Sequence, residues 1–297
     1  MKILYYTLLL PISLLPFWAL YLLSDFMYLL LYKVAGYRRK VVNTNISKSF
    51  PSLSKKEVLQ IEKEFFRHFF DIIVEAIKAF TISKAQVEKR FVHYNTDIFE
   101  KYKGQHITLV GGHNGNWELY AVSIGMHMIH KPVALYTPLS NKFINEKILK
   151  SRSKYGLMMQ AYKEVKALIQ QADTEPLAVI FGSDQCPKLT QKPYFMEFLN
   201  QETAVQFGTE KFACDYNTPV IYGVIKKLKR GHYAADYRLV TDAPRDLPFG
   251  EITEKHTRML EEDINKAPAY WLWTHKRWKR TKKDFEAYAA KQENEVM

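Results

Sequence analysis

The sequence predicts an α/β fold, a mixed and mostly parallel sheet flanked by helices, with a membrane helix at the amino terminus. Two patterns support this prediction. Continuous apolar runs of five or six residues alternate with segments of helical periodicity, which is typical of strands buried on both faces of a parallel sheet. Ahead of them, residues 3–24 carry no formal charge, and a segment of that length can cross about 30 Å of hydrocarbon.

The first segment is predicted to anchor the chain in a membrane. Its apolar character resumes past Asp25 and continues to residue 32, and four basic residues follow: Lys33, Arg38, Arg39 and Lys40. By the positive-inside rule, this places the remainder of the chain on the cytoplasmic side. A cleaved signal peptide is disfavoured, because the apolar region is too long and no Ala-x-Ala site follows it. Pro11 and Pro16 leave open a kinked helix that lies in one leaflet.

A long core-facing helix is predicted from residue 54 to about residue 80. Ser54 and Glu57 have the spacing of a capping box, in which each side chain accepts the backbone N–H of the other residue at a helix start. Behind the box, apolar residues recur at helical spacing: Leu59, Phe66, Phe69, Phe70, Ile73 and Ile77. One face of this helix is therefore expected to pack on the core.

Strands and helices are predicted to alternate through the rest of the chain. The strands are residues 106–110, 132–136, 177–181 and 220–225, and the helices are 119–127, 141–150, 163–171 and 209–216. Residues 233–240 alternate in polarity and could form an antiparallel edge strand. Ligands of such sheets bind beyond the carboxyl ends of the strands, which is where His113 and Asp184 both fall.

Size and charge limit the range of functions. A chain of 297 residues can bury one large core, and no stretch of this sequence reads as a linker between two. The formal charge of +12 and the isoelectric point near 9.4 fit a protein that works against acidic phospholipid, sugar phosphates or an acidic carrier protein. Nucleic acid is not an expected partner, because no helix-turn-helix, zinc-finger or aromatic RNA-binding signature accompanies the charge.

No metal, cofactor or disulfide is expected. Cys186 and Cys214 have neither metal-site nor redox spacing. The scattered histidines, such as His68 and His127, form no zinc-type set with Asp or Glu and are interpreted as structural.

The segment from Gly111 to Glu118, which reads Gly-Gly-His-Asn-Gly-Asn-Trp-Glu, is the strongest candidate for chemistry. Its glycines predict a tight turn that holds His113, with Glu118 one turn into the following helix. There the carboxylate can reach a ring nitrogen, fix the tautomer and raise its basicity, while backbone N–H groups of the turn face an oxyanion. The pair thus predicts a general base for a hydroxyl. A structural histidine beside a surface glutamate is the alternative.

Other charged residues have structural as well as functional interpretations. Arg152 ends a basic helix, where a cation satisfies the helix dipole. Asp184 follows an apolar strand, where Asp commonly forms a turn, or it orients a donor group or pairs with Arg152. Residues 275–283 interleave Trp278 with basic side chains, and they predict either a solvated basic face or a surface for anionic headgroups or an acidic carrier protein. Trp271 and Trp273 are interpreted as core residues.

Four sequence blocks, in this order, resemble those of the lysophospholipid acyltransferase superfamily and, within it, the lipid A late acyltransferases of the lauroyl and myristoyl type. They are His113 with Glu118; Arg152 with Tyr155-Gly156; residues 181–185, Phe-Gly-Ser-Asp-Gln; and residues 271–278, Trp-Leu-Trp-Thr-His-Lys-Arg-Trp. The resemblance covers most of the chain, to about Lys279.

The resemblance implies a lysophospholipid acyltransferase-like fold and direct acyl transfer, with His113 and Glu118 as the catalytic pair. It gives Arg152 a role in holding the thioester or an anionic part of a substrate, and it makes Asp184 and, more weakly, Gln185 substrate-binding residues. A covalent acyl-enzyme is not expected, because no Gly-x-Ser-x-Gly elbow occurs.

One block departs from the resemblance. Relatives commonly carry a Gly-Pro pair before a helix where this chain reads Phe-Gly-Thr-Glu at residues 207–210. Gly208 can still make the turn, and Thr209 could cap the helix through its hydroxyl. Both are predicted to bind substrate, and the departure affects the expected shape of the acceptor or acyl pocket.

The predicted function is acyl transfer from an acyl thioester, that of acyl carrier protein by resemblance, to a hydroxyl of an amphiphilic glycolipid, a lipid A precursor. The expected location is the cytoplasmic face of an inner membrane. We expect an anchor at residues 1–32, an acyltransferase domain at 33–283 and a polar tail at 284–297. The alternatives are a relative acting on another lipid or an aryl-polyene acceptor, a non-catalytic protein that binds anionic lipid, and a membrane-tethered hydrolase.

Overall fold

A seven-stranded sheet forms the centre of the computed structural model, which describes residues 1–171 and 175–296. Its strands are β1 (Phe91–Tyr94), β2 (Ile107–Gly111), β3 (Lys131–Tyr136), β4 (Met158–Ala161), β5 (Leu177–Gly182), β8 (Val220–Lys229) and β9 (His232–Thr241). A separate antiparallel hairpin consists of β6 (Pro193–Phe198) and β7 (Gln201–Gln206). The spatial order of the sheet is β1-β9-β8-β2-β5-β3-β4, in which β8 and β9 are antiparallel and all other neighbours are parallel. The predicted mixed, mostly parallel sheet is confirmed.

Helices cover both faces of this sheet. The principal ones are Lys2–Leu14, Phe17–Val34, Arg39–Ser49, Lys55–Lys78, Lys84–Arg90, Trp117–Ser123, Lys142–Arg152, Val165–Gln171, Gly208–Tyr216, Glu251–Lys266 and Lys282–Val296. Alternate residues of β8 enter two separate hydrophobic clusters, since Val220, Tyr222 and Val224 pack in one and Ile221 and Ile225 in the other. The core therefore has two layers, one on each side of the sheet.

The predicted capping box is present at the start of the Lys55–Lys78 helix. The Ser54 hydroxyl accepts the backbone N–H of Glu57 at 3.3 Å, and the Glu57 carboxylate accepts that of Ser54 at 2.8 Å. Of the apolar residues behind it, Phe66 and Phe70 are fully buried. This helix packs against both amino-terminal helices and thereby joins them to the core.

The uncharged amino-terminal segment forms two helices instead of the continuous span expected over residues 3–24. Leu15 adopts an extended conformation with ψ of 147°, because a residue that precedes proline is driven out of the helical region. The break therefore falls at Pro16, one of the two prolines at which the sequence allowed a kinked helix. Within the described residues, Phe17–Val34 is the helix long and apolar enough to cross a membrane by its length and composition.

The two faces of the Phe17–Val34 helix differ in chemistry. On the inner face, Ser24 donates to Asp71 at 2.8 Å. On the outer face, Trp18, Leu22, Phe26 and Leu29 follow one another at intervals of three or four residues, and each is more than half exposed. Apolar stripes of this kind are uncommon on water-facing surfaces, so this face needs a covering partner.

Several elements were not predicted or differ from the prediction. The strands β1 and β4 have only four residues each, too short for a periodic signal, and the β6-β7 hairpin was not predicted. The Glu251–Lys266 helix was also not predicted, although its buried residues recur at helical spacing. The β9 strand is antiparallel to β8 as predicted, but it is not an edge strand, because β1 pairs with its other side. The helix predicted over residues 119–127 begins earlier, at Trp117, and ends at Ser123 in a 3-10 turn over Ile124–Met126.

Candidate active site

The order of the central strands brings His113 and Asp184 together. The strands β2 and β5 are parallel neighbours, and Gly111 pairs with Gly182 at their carboxyl ends. The backbone N–H of Ser183 donates to the carbonyl of Gly111 at 3.0 Å and extends this pairing past the strands. Because His113 and Asp184 each lie two residues beyond the paired glycines, their side chains meet above the same edge of the sheet.

Asp184 is fixed by three hydrogen bonds. Its Oδ1 lies 2.6 Å from Nδ1 of His113, and its Oδ2 accepts the backbone N–H of His113 at 2.7 Å and the indole N–H of Trp271 at 2.8 Å. The carboxylate is buried, whereas about a quarter of the His113 side chain (24%) is exposed. The histidine ring therefore turns Nδ1 inward to a fixed carboxylate, while Nε2 contacts no carboxylate and lies 3.4 Å from the Gln185 amide nitrogen.

The pair also sets the charges in the site. Burial by itself would lower the pKa of His113, but the negative charge of Asp184 and its hydrogen bond outweigh burial and raise that pKa above 6.5. Burial would raise the pKa of Asp184, yet the charge of His113 and the three donated hydrogen bonds hold it well below its usual range. Asp184 is thus ionised at neutral pH and keeps the proton of His113 on Nδ1, so that Nε2 is free to accept another.

Glu118 does not hold the histidine, and this corrects the expectation from the sequence. The Glu118 carboxylate accepts two hydrogen bonds from Arg152, at 3.0 Å from Nε and at 2.6 Å from Nη2. Asn116 caps the Trp117–Ser123 helix by accepting the backbone N–H of Leu119, which places Glu118 in the first turn. From there Glu118 faces the end of the Lys142–Arg152 helix. Pairing of Asp184 with Arg152, one of the roles that the sequence left open, does not occur, because Arg152 binds Glu118.

Glu118 and Arg152 still act on His113 through their charges. The negative charge of Glu118 raises the pKa of His113, and the positive charge of Arg152 lowers it. Since the two groups form a bidentate ion pair, their effects largely offset each other. Arg152 ends its helix as predicted.

Three backbone N–H groups of the turn and the helix start are engaged inside the protein, so these three are not the donors for the expected oxyanion site. The N–H of His113 is donated to Asp184, that of Gly115 to the carbonyl of Tyr270 at 2.9 Å, and that of Leu119 to Asn116. A Cβ at position 112 would lie 2.8 Å from Leu260 Cδ1 and 3.2 Å from Asp184 Oδ2, so a side chain there would displace the leucine and crowd the carboxylate. These backbone groups hold the shape of the site.

The structure places the other predicted residues at different distances from the pair. The Gln185 amide nitrogen lies 3.4 Å from Nε2 of His113, at the exposed side of the ring. Gly208 begins the Gly208–Tyr216 helix, and a Cβ there would lie 2.6 Å from the Tyr162 hydroxyl. Thr209 is buried inside the first turn and is not the cap, which is Phe207. Within the described residues, neither Gly208 nor Thr209 forms a hydrogen bond with His113 or Asp184.

The carboxyl-terminal block completes the site, and its role was only partly anticipated. Trp271 and Trp273 are buried in the core as predicted, but Trp271 also donates to Asp184. His275 Nε2 accepts the backbone N–H of Cys186 at 3.0 Å and so holds the loop that follows Asp184. Arg277 is buried, so it does not belong to the solvated basic face considered for this segment. A buried indole N–H requires an acceptor, and this is the signal that could have indicated Trp271.

The arrangement of His113, Asp184 and Trp271 has the geometry that general-base catalysis requires, a histidine with one ring nitrogen bound to a carboxylate that can stabilise its protonated form. Comparison with known proteins gives one family match and no match to a curated protein. The matching family model is described as bacterial lipid A biosynthesis acyltransferase and covers residues 1–280. The chain therefore belongs to the bacterial lipid A biosynthesis acyltransferase family.

Proposed function

We propose that this acyltransferase moves a fatty acyl chain from the thioester of acyl carrier protein to a hydroxyl of a lipid A precursor, with His113 as the general base. The hydrogen bond between Nδ1 of a partly exposed His113 and ionised Asp184, which leaves Nε2 as the proton acceptor, is the observation that carries the proposal. The net positive charge of the chain supports an acidic carrier protein as the donor.

The proposed reaction is a direct transfer. His113 Nε2 takes the proton of the acceptor hydroxyl as that oxygen attacks the thioester carbonyl carbon, and Asp184 stabilises the resulting imidazolium. The new C–O ester bond forms as the C–S bond breaks, and the imidazolium returns the proton to the departing thiolate. No covalent acyl-enzyme is needed, because the attacking oxygen belongs to the acceptor. The residue midway between Gly111 and Gly115 is a histidine, whereas an acyl-enzyme would need a serine or cysteine nucleophile there.

The proposed location is the cytoplasmic face of an inner membrane. Family membership and the exposed apolar stripe of the Phe17–Val34 helix support membrane association. The basic residues after that helix support the cytoplasmic side. On this proposal residues 1–32 form the anchor, residues 33–283 the catalytic domain and residues 284–297 a polar tail.

A reconstituted assay tests the reaction. The full chain in mixed micelles, supplied with acyl carrier protein carrying a labelled acyl group and a lipid A precursor with a free 3-hydroxyacyl hydroxyl, is expected to yield a lipid heavier by one acyl group. Mass spectrometry of the lipid and titration of the released thiol should agree one to one. Release of free fatty acid without acylated lipid would instead identify a hydrolase, and no thioester consumption would identify a binding protein.

Glu118 and Arg152 should shift the pH profile of acyl transfer in opposite directions. Glu118→Gln removes a negative charge near His113 and leaves Arg152 unbalanced, so the pKa of His113 falls and the rising limb moves to lower pH. Arg152→Gln leaves Glu118 unbalanced, so the limb moves to higher pH. Each variant is expected to lower kcat/KM about 10- to 100-fold, since loss of the ion pair releases the helix turn beside His113 and a misplacement of about 1 Å can cost on the order of 100-fold.

Lys211→Gln provides the matched control for the charge changes, because Lys211 pairs with Asp215 on an exposed helical surface. It should leave the profile unchanged. A shift in the same direction for Glu118→Gln and Arg152→Gln would contradict the electrostatic role of the pair.

A further inference from the structure

A basic cavity lies beside the exposed apolar stripe and behind the catalytic turn. Its volume is about 540 Å³, which is within the usual range for small-molecule sites. The lining side chains include five that are basic and two that are carboxylates: Lys33, Arg67, Lys227, Lys229 and Arg230, with Asp25 and Asp71. Positive charge is thus in excess inside the cavity, although it lies next to one of the most apolar surfaces of the chain.

The carboxylates are already used by two of these cations. Arg230 donates to both Asp71 and Asp25 at 2.7 Å, and Lys227 Nζ lies 3.7 Å from Asp71. Within the described residues, no carboxylate lies within ion-pair distance of Lys33, Arg67 or Lys229. Three positive charges therefore face the cavity without a protein counter-ion, a state that favours an anionic occupant.

The apolar residues of the cavity indicate what kind of anion fits. Leu29 and Leu228 line it and are each about half exposed, at 52% and 54%. Leu29 also belongs to the stripe of the Phe17–Val34 helix, so a ligand in the cavity can continue along that stripe. A free phosphate would leave this apolar surface uncovered, whereas an anionic lipid would cover it with its acyl chains.

The walls of the cavity also contact the catalytic turn. Lys227 Nζ lies 3.3 Å from Nδ1 of His68, and the opposite ring nitrogen of His68 is bound to the carbonyl of Gly115 at 3.1 Å. The carbonyl of Tyr270, another lining residue, accepts the N–H of Gly115. The turn that carries His113 is therefore supported by two residues that line the basic cavity.

We propose that this cavity binds the phosphate of an anionic membrane phospholipid, whose acyl chains lie along the apolar stripe of the Phe17–Val34 helix. Arg67, Lys229 and Lys33 provide the charge for the headgroup, and Leu29 and Leu228 receive the first part of the chains. The inference rests on the proposed membrane association. It adds a lipid site that is separate from the acyl donor and the acceptor hydroxyl.

Lipid binding can be measured without acyl transfer. The full chain in neutral detergent micelles is titrated against phosphatidylglycerol with a fluorescent acyl chain, and separately against phosphatidylcholine with the same chain. The wild-type protein should bind the phosphatidylglycerol at least 10-fold more tightly. Arg67→Gln with Lys229→Gln should weaken phosphatidylglycerol binding about 10- to 30-fold, because each cation near a lipid surface contributes roughly a factor of five.

The control is the double variant Lys101→Gln with Lys103→Gln, which removes the same charge from exposed residues before the amino end of β2. This control should bind both lipids like the wild type. Unchanged phosphatidylcholine binding by Arg67→Gln with Lys229→Gln would show that the fold of that double variant is intact. The proposal is overturned if the two double variants weaken phosphatidylglycerol binding equally, or if the wild type binds the two lipids equally. It is also overturned if inorganic phosphate displaces the fluorescent phosphatidylglycerol as effectively as unlabelled lipid does. Loss of acyl transfer in His113→Ala with normal lipid binding separates this site from the proposed function.

Discussion

The variant His113→Ala is expected to lose acyl transfer by about 10²- to 10⁴-fold in kcat, the usual contribution of a general base. Asp184 holds the ring of His113 through Nδ1, so Nε2 is the nitrogen that can accept a proton, and alanine leaves no group that could take the hydroxyl proton. The measurement is the initial rate of lipid acylation by the full chain at saturating acyl carrier protein thioester. The KM for the donor should change little, since the loss affects proton transfer and not binding.

A second histidine provides the comparison. His127 lies after the Trp117–Ser123 helix and stacks on His93 at 4.6 Å, away from Asp184, so His127→Ala should keep most of its activity. Both variants should sediment with membranes like the wild type. If His113→Ala acylated lipid at the wild-type rate, the general-base assignment would have to be abandoned.

The variant Asp184→Asn is expected to reduce kcat about as severely as the loss of the base. The amide cannot stabilise an imidazolium by charge, and it offers one oxygen where the carboxylate accepts three hydrogen bonds, so the ring can adopt the wrong tautomer. The equivalent change in serine proteases lowers kcat about 10⁴-fold. Here the buried site adds the cost of leaving a donor from His113 or Trp271 unpaired.

The pH profile distinguishes this explanation from simple unfolding. In the wild type Asp184 raises the pKa of His113, so the rising limb of activity should lie above pH 6.5. Without the charge of Asp184, burial dominates and lowers the pKa of His113, so the residual activity should rise at lower pH. Asp242→Asn, an exposed carboxylate after β9, is the control and should leave the limb in place. If the rising limb of the pH profile lay at the same pH in Asp184→Asn as in the wild type, Asp184 would not set the basicity of His113.

The sequence predicted the position of His113 just beyond a strand end, which the structure confirms, but it paired this residue with Glu118 and not with Asp184. Glu118 is near in sequence, and a spacing argument favours near residues. The partner of His113 depends on which strands are neighbours, and β2 pairs with β5 and β8 although β3 follows it in the chain. No local pattern encodes this order, so the proximity of residues 113 and 184 was outside the reach of sequence periodicity.

Contacts that local sequence does not encode also explain other differences between the predicted and the observed elements. Buried strands such as β5 are apolar throughout and were recognised, and the capping box at Ser54 is a local signal that holds in the fold. The four-residue β4 strand is fixed by its pairing with β3, which local sequence does not specify. Pro16 was noted as a possible kink, and the structure shows that it divides the apolar segment completely.

The hydrogen bond from Trp271 to Asp184 has a consequence for how the protein matures. On a ribosome, residues 17–34 emerge early and can enter the lipid while the remainder is still being made. Residue 271 emerges long after these residues, and until then the carboxylate lacks one of its three donors. On the proposed membrane association, a growing polypeptide would thus be tethered to the bilayer well before the proposed catalytic pair is complete.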